Sequence, residues 1–247
     1  MAADVSPSLY RRVVAEAIGT ALLLAAVVGS GIMGDRLSGG NVAIALLANT
    51  LATGAALAAL ILTFGPISGA HFNPAVSFAD ASQGGLSWAA ACVYVIAQIC
   101  GAFVGVALAD AMFGEPIYSW SQHVRAGFPQ VLSEMVATFG LLAVIWGCAR
   151  RRPGAVPFAV GAYITAAYWF TASTSFANPA VTLARAATDT FAGIRPADVP
   201  GFLVGQAIGA SAATGLFRWL LPELPEVAER VVVPHERERR DVKQRKP

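Results

Sequence analysis

Charged residues are scarce in this sequence and are missing altogether from two long stretches. Asp, Glu, Lys and Arg make up 13% of the 247 residues, whereas they account for about 25% of an average soluble domain. None of the four occurs from Leu37 to Ala79 or from Ala81 to Ala109. Because helices of a water-soluble protein need polar faces, these stretches exclude a soluble fold and indicate a membrane protein.

Cysteine and catalytic motifs are also sparse. Cys92, Cys100 and Cys148 all fall within apolar stretches, which favours small packing residues over disulfide partners or metal ligands. No Ser/His/Asp set, metal-ligand cluster or glycine-rich phosphate loop stands out. We therefore expect no enzyme activity, no cofactor, no metal site and no nucleic-acid partner.

Six apolar segments have roughly the length needed to cross a bilayer, which takes about 20 residues. The fifth is short unless it continues into the Thr/Ser-rich stretch after it. The first is full length and contains Glu16, so it is not expected to be a cleavable signal. The six predicted spans are Val13–Met33, Val42–Phe64, Trp88–Phe113, Val131–Ala149, Val156–Phe170 and Phe202–Leu221.

The distribution of basic residues predicts the orientation of these spans. With six spans, one side of the membrane would hold thirteen Lys and Arg residues and the other side four. Because cytoplasmic loops carry the excess of Lys and Arg, we expect a multi-pass protein of the cell (inner) membrane with both termini cytoplasmic. A membrane domain over residues 1–222 is expected to end in a disordered cytoplasmic tail at residues 223–247. We interpret this segment as a solvated tail, with contact between its basic residues and anionic lipid headgroups as the alternative.

An internal repeat divides the membrane domain into two halves. NPAVSFAD at residues 73–80 matches NPAVTLAR at 178–185, and AQICGA at 97–102 matches GQAIGA at 205–210. The halves, about 13–113 and 131–221, contain three spans each. Since three is odd, the second half must lie upside down relative to the first, an arrangement that builds sites at the membrane midplane.

Each Asn-Pro-Ala motif is expected to begin a short helix. Asn is a favoured N-cap and Pro a favoured first helical residue. The resulting helices, roughly Pro74–Ser82 and Pro179–Thr188, are too short to span the membrane. They are therefore predicted to enter from opposite faces as re-entrant half-helices, which is tolerated where the non-helical backbone lines a wet cavity.

The segments that lead into the two motifs are expected to be extended and to form a polar wall of a pore. Two half-helix N-termini about 5 Å from a passing cation, each carrying about half a positive charge, raise its energy by roughly 3 kcal/mol at an effective dielectric near 20. Neutral hydroxylated solutes meet no such barrier. The predicted carbonyl ladder consists of Gly69, Ala70, His71, Ser173 and Thr174.

These motifs resemble those of the major intrinsic protein (aquaporin) family, and the resemblance covers residues 11–221. It implies an all-α membrane protein with six transmembrane helices plus two re-entrant half-helices in an inverted repeat. It also implies one pore per subunit and a homotetramer that passes water and small neutral solutes. The pore motifs carried over are Asn73, Pro74, Ala75, Asn178, Pro179 and Ala180.

The sequence departs from the family at the outer selectivity filter, where four positions form the narrowest point. The Arg usually found three residues after the second Asn is replaced by Val181. A gapless count gives Thr53, Ser175 and Ala166 for the other positions, with Ala167 adjacent to the last. Water-selective members have bulky Phe, His and Arg here, so the resemblance implies a wider, uncharged ring.

A wide ring is expected to admit solutes larger than water, because size is the main barrier to an uncharged molecule. The expected solutes are glycerol, urea and metalloid hydroxides such as arsenous acid, since an Arg-less filter resembles bacterial members tied to metalloid transport. The alternative is that Val181 is compensated and that the pore conducts mainly water.

The remaining ionisable groups receive structural or electrostatic interpretations. Arg185 is expected at the outer vestibule or, alternatively, among solvent and lipid headgroups, while Asp80 faces the cytoplasmic mouth. Glu16 and Glu134 are costly in lipid, so each is expected to brace the segment of its own half. They also leave open a secondary transporter, which would use paired carboxylates. His71 more simply orders its loop than ligates a metal.

Overall fold

A computed structural model describes residues 7–221, and the expected tail at 223–247 lies outside them. The described chain forms eight α-helices, and short 3₁₀ turns at Pro153–Ala155 and Pro196–Asp198 precede the sixth and the eighth. The described residues contain no strand, which confirms the all-α fold. In chain order the helices are α1 Leu9–Leu37, α2 Val42–Ser68, α3 Pro74–Ser82, α4 Trp88–Phe113, α5 Phe128–Arg151, α6 Val156–Phe170, α7 Pro179–Arg185 and α8 Val199–Leu220.

Five of these helices, α1, α2, α4, α5 and α8, are long and apolar enough to cross a membrane. The remaining predicted span, α6, has 15 residues and is therefore about 22 Å long. It packs against α2 and α5. Large apolar side chains are exposed along the long helices, among them Ile18, Leu51, Ile96 and Ile208. Such a surface suits lipid or a neighbouring subunit rather than water.

The two half-helices begin where local sequence rules place them. Asn73 and Asn178 are the N-caps of α3 and α7, and a proline follows each cap. α3 has the predicted bounds, whereas α7 ends at Arg185 instead of Thr188. The difference arises because the chain tightens after Arg185, where the Ala187 amide donates to the Ala184 carbonyl at 3.0 Å.

Packing follows the inverted repeat. In the first half α1 lies against α2 and α4, and in the second half α5 lies against α6 and α8. Glycines permit the closest crossings: a Cβ at Gly101 would collide with the Ala17 carbonyl, and a Cβ at Gly209 would collide with the Met135 carbonyl. Both glycines follow a buried glutamine by three residues. The crossings bring α3 and α7 together between the halves.

Candidate pore

The tips of the two half-helices are joined by reciprocal hydrogen bonds. The Asn73 Nδ2 donates to the Ala177 carbonyl at 2.8 Å, and the Asn178 Nδ2 donates to the Phe72 carbonyl at 2.7 Å. The side-chain oxygen of each Asn accepts from the first turn of its own helix. Each amide therefore caps one half-helix while fastening it to the backbone of the other half.

A buried glutamate holds the segment that leads into α3. The Glu16 Oε1 accepts from the Ser68 hydroxyl at 2.6 Å and from the His71 amide at 3.0 Å. Its Oε2 accepts from the Phe72 amide at 2.7 Å and from the Gln98 Nε2 at 2.8 Å. The Glu16 side chain is fully buried, and these four donors satisfy both of its oxygens.

The second half repeats the arrangement with a second glutamate. The Glu134 Oε1 accepts from the Ser173 hydroxyl at 2.6 Å and from the Phe176 amide at 2.9 Å. Its Oε2 accepts from the Ala177 amide at 2.8 Å and from the Gln206 Nε2 at 2.6 Å. The two networks use the same donor types in the same order along the chain. Both glutamates are occupied as hydrogen-bond acceptors within their own halves.

The sequence predicted that the segments leading into the motifs are extended, and this prediction is wrong for part of each segment. Positive φ occurs at Ala70 and Phe72 in the first half and at the matching Ser175 and Ala177 in the second. Left-handed backbone at non-glycine residues costs of order 1–3 kcal/mol and persists where the surroundings determine it. Here the glutamate networks supply that determination, because they hold the amides next to these residues.

A cavity of about 110 Å³ passes beside the joined tips and takes residues from both halves. It reaches from Val156 at the start of α6 to Arg185 at the end of α7, on opposite sides of the bundle. Asn73 and Asn178 both line it. Much of the remaining wall is aliphatic and includes Leu23, Val27, Leu57, Leu141, Val160 and Ile164.

The predicted carbonyl ladder coincides with the cavity wall in one half only. Gly69, Ala70 and His71 line the cavity, whereas Ser173 and Thr174 are not part of its wall. The Ser173 carbonyl instead accepts from Arg125 at 3.3 Å. In the second half the wall is formed by the next three residues, Ser175, Phe176 and Ala177.

Three of the four predicted filter residues, Thr53, Ser175 and Val181, line the cavity. The prediction for Ala166 is wrong, because this residue is exposed on the outside of α6. The α6 stripe that lines the cavity recurs every four residues and ends at Tyr168, and a residue two positions earlier lies on the opposite side of the helix. The Tyr168 hydroxyl lies 3.4 Å from the Thr53 Oγ1, so a phenol lies beside the ring where the sequence predicted a methyl group.

Arg185 also differs from its predicted place in an open vestibule. Its side chain is 2% exposed and lines the cavity. The guanidinium Cζ lies 3.4 Å from the centroid of the Phe176 ring, and Nε donates to the Ala192 carbonyl. These contacts fold the side chain into the cavity wall, where it also interacts with Tyr168. The end of the cavity at Arg185, named the outer end here after the predicted outer filter, is therefore charged, although position 181 is a valine.

Asp80 likewise does not face the predicted mouth. It is 1% exposed and is not part of the cavity wall, whereas His71 is. Its Oδ2 lies 3.8 Å from the His71 Nε2, and the His71 Nδ1 is 3.0 Å from the Ser77 hydroxyl. The chain turns back over Asp80 at Gly85, whose amide donates to the Asp80 carbonyl, and this turn buries the carboxylate.

One buried residue at the outer end had no signal in the sequence beyond being a charge in a polar loop. Arg125 is 9% exposed and its Nε donates to the Gly193 carbonyl at 2.8 Å. Its own amide donates to the Asp198 Oδ2 at 2.8 Å. Arg125 thus joins the connection between α4 and α5 to the connection between α7 and α8.

A multi-pass helical protein whose half-helices meet at Asn-Pro-Ala tips, beside a cavity lined by both halves, is by fold and site a membrane channel for small solutes. Residues 4–174 match the major intrinsic protein family, and the chain belongs to that family. Its members are channels rather than enzymes.

Individual relatives agree with this assignment. The chain is 59% identical over 213 residues to the aquaglyceroporin AqpS of Rhizobium meliloti (strain 1021), covering 86% of this chain and 91% of the relative. It is 31% identical to the probable aquaporin AqpM of Archaeoglobus fulgidus, over 87% of this chain and 99% of the relative. The crystal structure of the aquaglyceroporin from Plasmodium falciparum superimposes with a TM-score of 0.72 at 23% identity, covering 88% and 99%, and supports the fold.

Proposed function

We propose that this protein is a passive channel for small uncharged polar solutes of the size of glycerol and urea, including metalloid hydroxides such as arsenous acid. The observation that carries the proposal is the outer ring of Thr53, Ser175 and Val181, where short side chains replace the bulky and charged ones of water-selective members. A ring of this kind lowers the steric barrier to a molecule larger than water.

The two chemically different walls of the cavity support a polyol-like solute. The aliphatic part of the wall matches carbon–hydrogen surface, and the polar part offers the amides of Asn73 and Asn178 and the backbone of residues 69–71. A small polyol has both kinds of surface, so it can exchange its bonds to water for these groups. A ligand site with mostly apolar walls and a few placed polar groups is typical for small molecules.

The relatives support the glycerol-sized class more than the metalloid class. AqpS of Rhizobium meliloti carries the name aquaglyceroporin, and we extend that solute class to this chain. Arsenous acid is proposed on the strength of Val181 alone, because it is an uncharged trihydroxide at neutral pH and resembles a polyol in shape.

We further propose a homotetramer of 1–222 channel domains in the inner membrane, with both termini and the 223–247 tail cytoplasmic. The excess of basic residues on one side supports the orientation. Native mass spectrometry of the full chain tests the tetramer, and protease access to the tail in sealed inverted vesicles tests the orientation.

A mainly water-conducting pore is the second candidate, and one contact favours it. Tyr168 lies 3.4 Å from Thr53 and beside Arg185, so a phenol and a guanidinium occupy part of the outer ring. A secondary transporter receives less support, since Glu16 and Glu134 are occupied by hydrogen bonds within their own halves. A transporter would show saturating, pH- or sodium-dependent rates.

Stopped-flow swelling of proteoliposomes with water, glycerol, urea and arsenous acid tests the proposal. We expect the natural chain to pass glycerol well above empty liposomes. Val181→Arg should lower glycerol and arsenous acid flux on the order of tenfold, equivalent to about 1.4 kcal/mol of barrier, and lower water flux less. Val181→Gln is the matched control for size without charge.

The two candidates give opposite results in the same experiment. A natural chain that passes water but excludes glycerol contradicts the wide-ring proposal and supports the water channel. Glycerol flux with arsenous acid excluded would retain the polyol class and reject the metalloid class.

A further inference from the structure

Two buried arginines near the outer end of the cavity, Arg185 and Arg125, contact the same aromatic ring, and that ring lines the cavity. The Cζ of Arg185 is 3.4 Å and that of Arg125 5.1 Å from the centroid of the Phe176 ring. The two side chains are 2% and 9% exposed. Stacking on an aromatic face is favourable for a guanidinium, and the ring keeps both charges close to the passage.

Neither guanidinium forms an ion pair with a carboxylate of the described residues. The carboxylate oxygens of Glu134 are already bonded to donors of its own half. Asp198 accepts from the Arg125 backbone amide and from the Arg195 side chain. Buried charges in proteins are normally paired. Because these two guanidinium groups have no carboxylate partner among the described residues, the outer end of the cavity has an excess of positive charge.

Neighbouring titratable groups respond to this excess. Burial, followed by repulsion from Arg185, lowers the pKa of Arg125 to about 9, so it remains protonated at neutral pH. The pKa of His123 is lowered by burial and then by Arg125 and Arg185, while Asp189 opposes the effect. The positive field therefore reaches the surface loop above the cavity.

Two polar groups at this end are buried without a hydrogen-bond partner among the described residues. They are the Nη1 of Arg185 and the Oγ of Ser175, and both residues line the cavity. Buried donors almost always have a partner, and one left without costs about 1–3 kcal/mol, more when it is charged. A guanidinium and a hydroxyl together suit the oxygens of an anion.

We propose that Arg185 and Ser175, with the second charge from Arg125, form a binding site for a small monovalent oxyanion at the outer end of the pore. The proposal rests on the proposed function, because the site lies in the same passage that neutral solutes use. An anion bound there obstructs the passage, so the conjugate base of a weak oxyacid slows the flux of neutral molecules.

Nitrate is the probe, since it is a small oxyanion that stays ionised at neutral pH. The full-length protein in proteoliposomes is assayed for glycerol efflux with external potassium nitrate replacing potassium gluconate at constant ionic strength. We expect the glycerol rate to fall along a single-site curve, reaching about one half at the nitrate Kd. Arg185→Gln should abolish this inhibition, and Ser175→Ala should raise the Kd.

Arg195→Gln is the matched control, because Arg195 is an outer arginine that pairs with Asp198 at 2.8 Å and is not part of the cavity wall. It should leave the nitrate curve of the natural chain unchanged. If Arg185→Gln does not fold, the raised Kd of Ser175→Ala carries the test.

Insensitivity of the natural chain to nitrate, or equal inhibition of the natural chain and Arg185→Gln, would overturn the anion site. The glycerol rate in gluconate alone reports on the proposed function separately. Should that rate be zero, water efflux replaces it as the readout of nitrate binding.

Discussion

The two halves of the molecule are nearly identical at the membrane midplane and different at the two mouths. Glu16 and Glu134 accept from the same four kinds of donor, and the two asparagines exchange equivalent hydrogen bonds. At the far ends of the half-helices, the first half has the buried Asp80 beside His71, and the second has Arg185 over Phe176.

The comparison separates the residues that hold the fold together from the residues that select the solute. The symmetric core holds the strained backbone segments and the two helix tips. Both halves need the same support there, although they lie in opposite orientations. The mouths meet different solutions and solutes, so they need not match. Val76 and Val181 occupy the same place in the two repeats and both line the cavity, so the filter asymmetry comes from Arg185, Arg125 and Tyr168 rather than from the residue after the motif.

The largest expected effect comes from removing either glutamate. Glu16→Ala and Glu134→Ala each leave two backbone amides and two side-chain donors without their acceptor, at about 1–3 kcal/mol for each donor. We expect a loss of at least about 3 kcal/mol and a melting temperature lower by on the order of 10 °C in both variants. The melting temperature of each variant is measured in detergent, with light scattering and tryptophan fluorescence as the signals.

Equality of the two losses is the sharper part of this prediction. If one variant melted like the natural chain while the other failed to fold, the networks would not be equivalent. Glu16→Gln and Glu134→Gln, which keep one acceptor oxygen, should lie between alanine and the natural residue.

A smaller effect is expected at the glycine crossings. Gly101→Ala and Gly209→Ala place a methyl group against the backbone of α1 and α5 respectively, and overpacking of this kind typically costs about 1–3 kcal/mol. Gly215→Ala is the matched control in α8, because nothing lies near its added Cβ and alanine is the better helix former by about 1 kcal/mol.

Thermal unfolding separates these variants. The two crossing variants should melt below the natural chain and by similar amounts, while Gly215→Ala should melt at or above it. A crossing variant as stable as Gly215→Ala would mean that the helices can move apart without loss, and the repeat would not depend on close packing there.

Features set by local rules were predictable from the sequence. An Asn cap followed by Pro predicts the first residue of a helix, and the structure begins α3 and α7 at the predicted Pro74 and Pro179. The fold class and the family follow from charge-free stretches and a repeated motif. The sequence also predicted that Glu16 holds the segment leading into the first motif, but it did not predict the hydrogen bond from Gln98.

Features set by distant contacts were not predictable in the same way. Counting back from Asn178 selected Ala166, whereas the cavity-lining stripe of α6 contains Tyr168, because a count ignores how the intervening turn is wound. Helix spacing placed the Cα of Arg185 but not its guanidinium. A long side chain goes where a ring and a carbonyl hold it, and here those come from Phe176 and Ala192.

The smallest expected effect tests the outer mouth through His123, which lies in the connection between α4 and α5. Its pKa is lowered by burial and then by Arg125 and Arg185, so the unfolded chain binds a proton more readily than the folded chain. Stability is therefore full above the ordinary pKa of 6.5 and declines as pH falls below it. His123→Gln should flatten the melting temperature between about pH 7.5 and 5.5, the range in which histidine titrates. Parallel profiles for variant and natural chain would show that the pKa of His123 is not lowered in the folded chain.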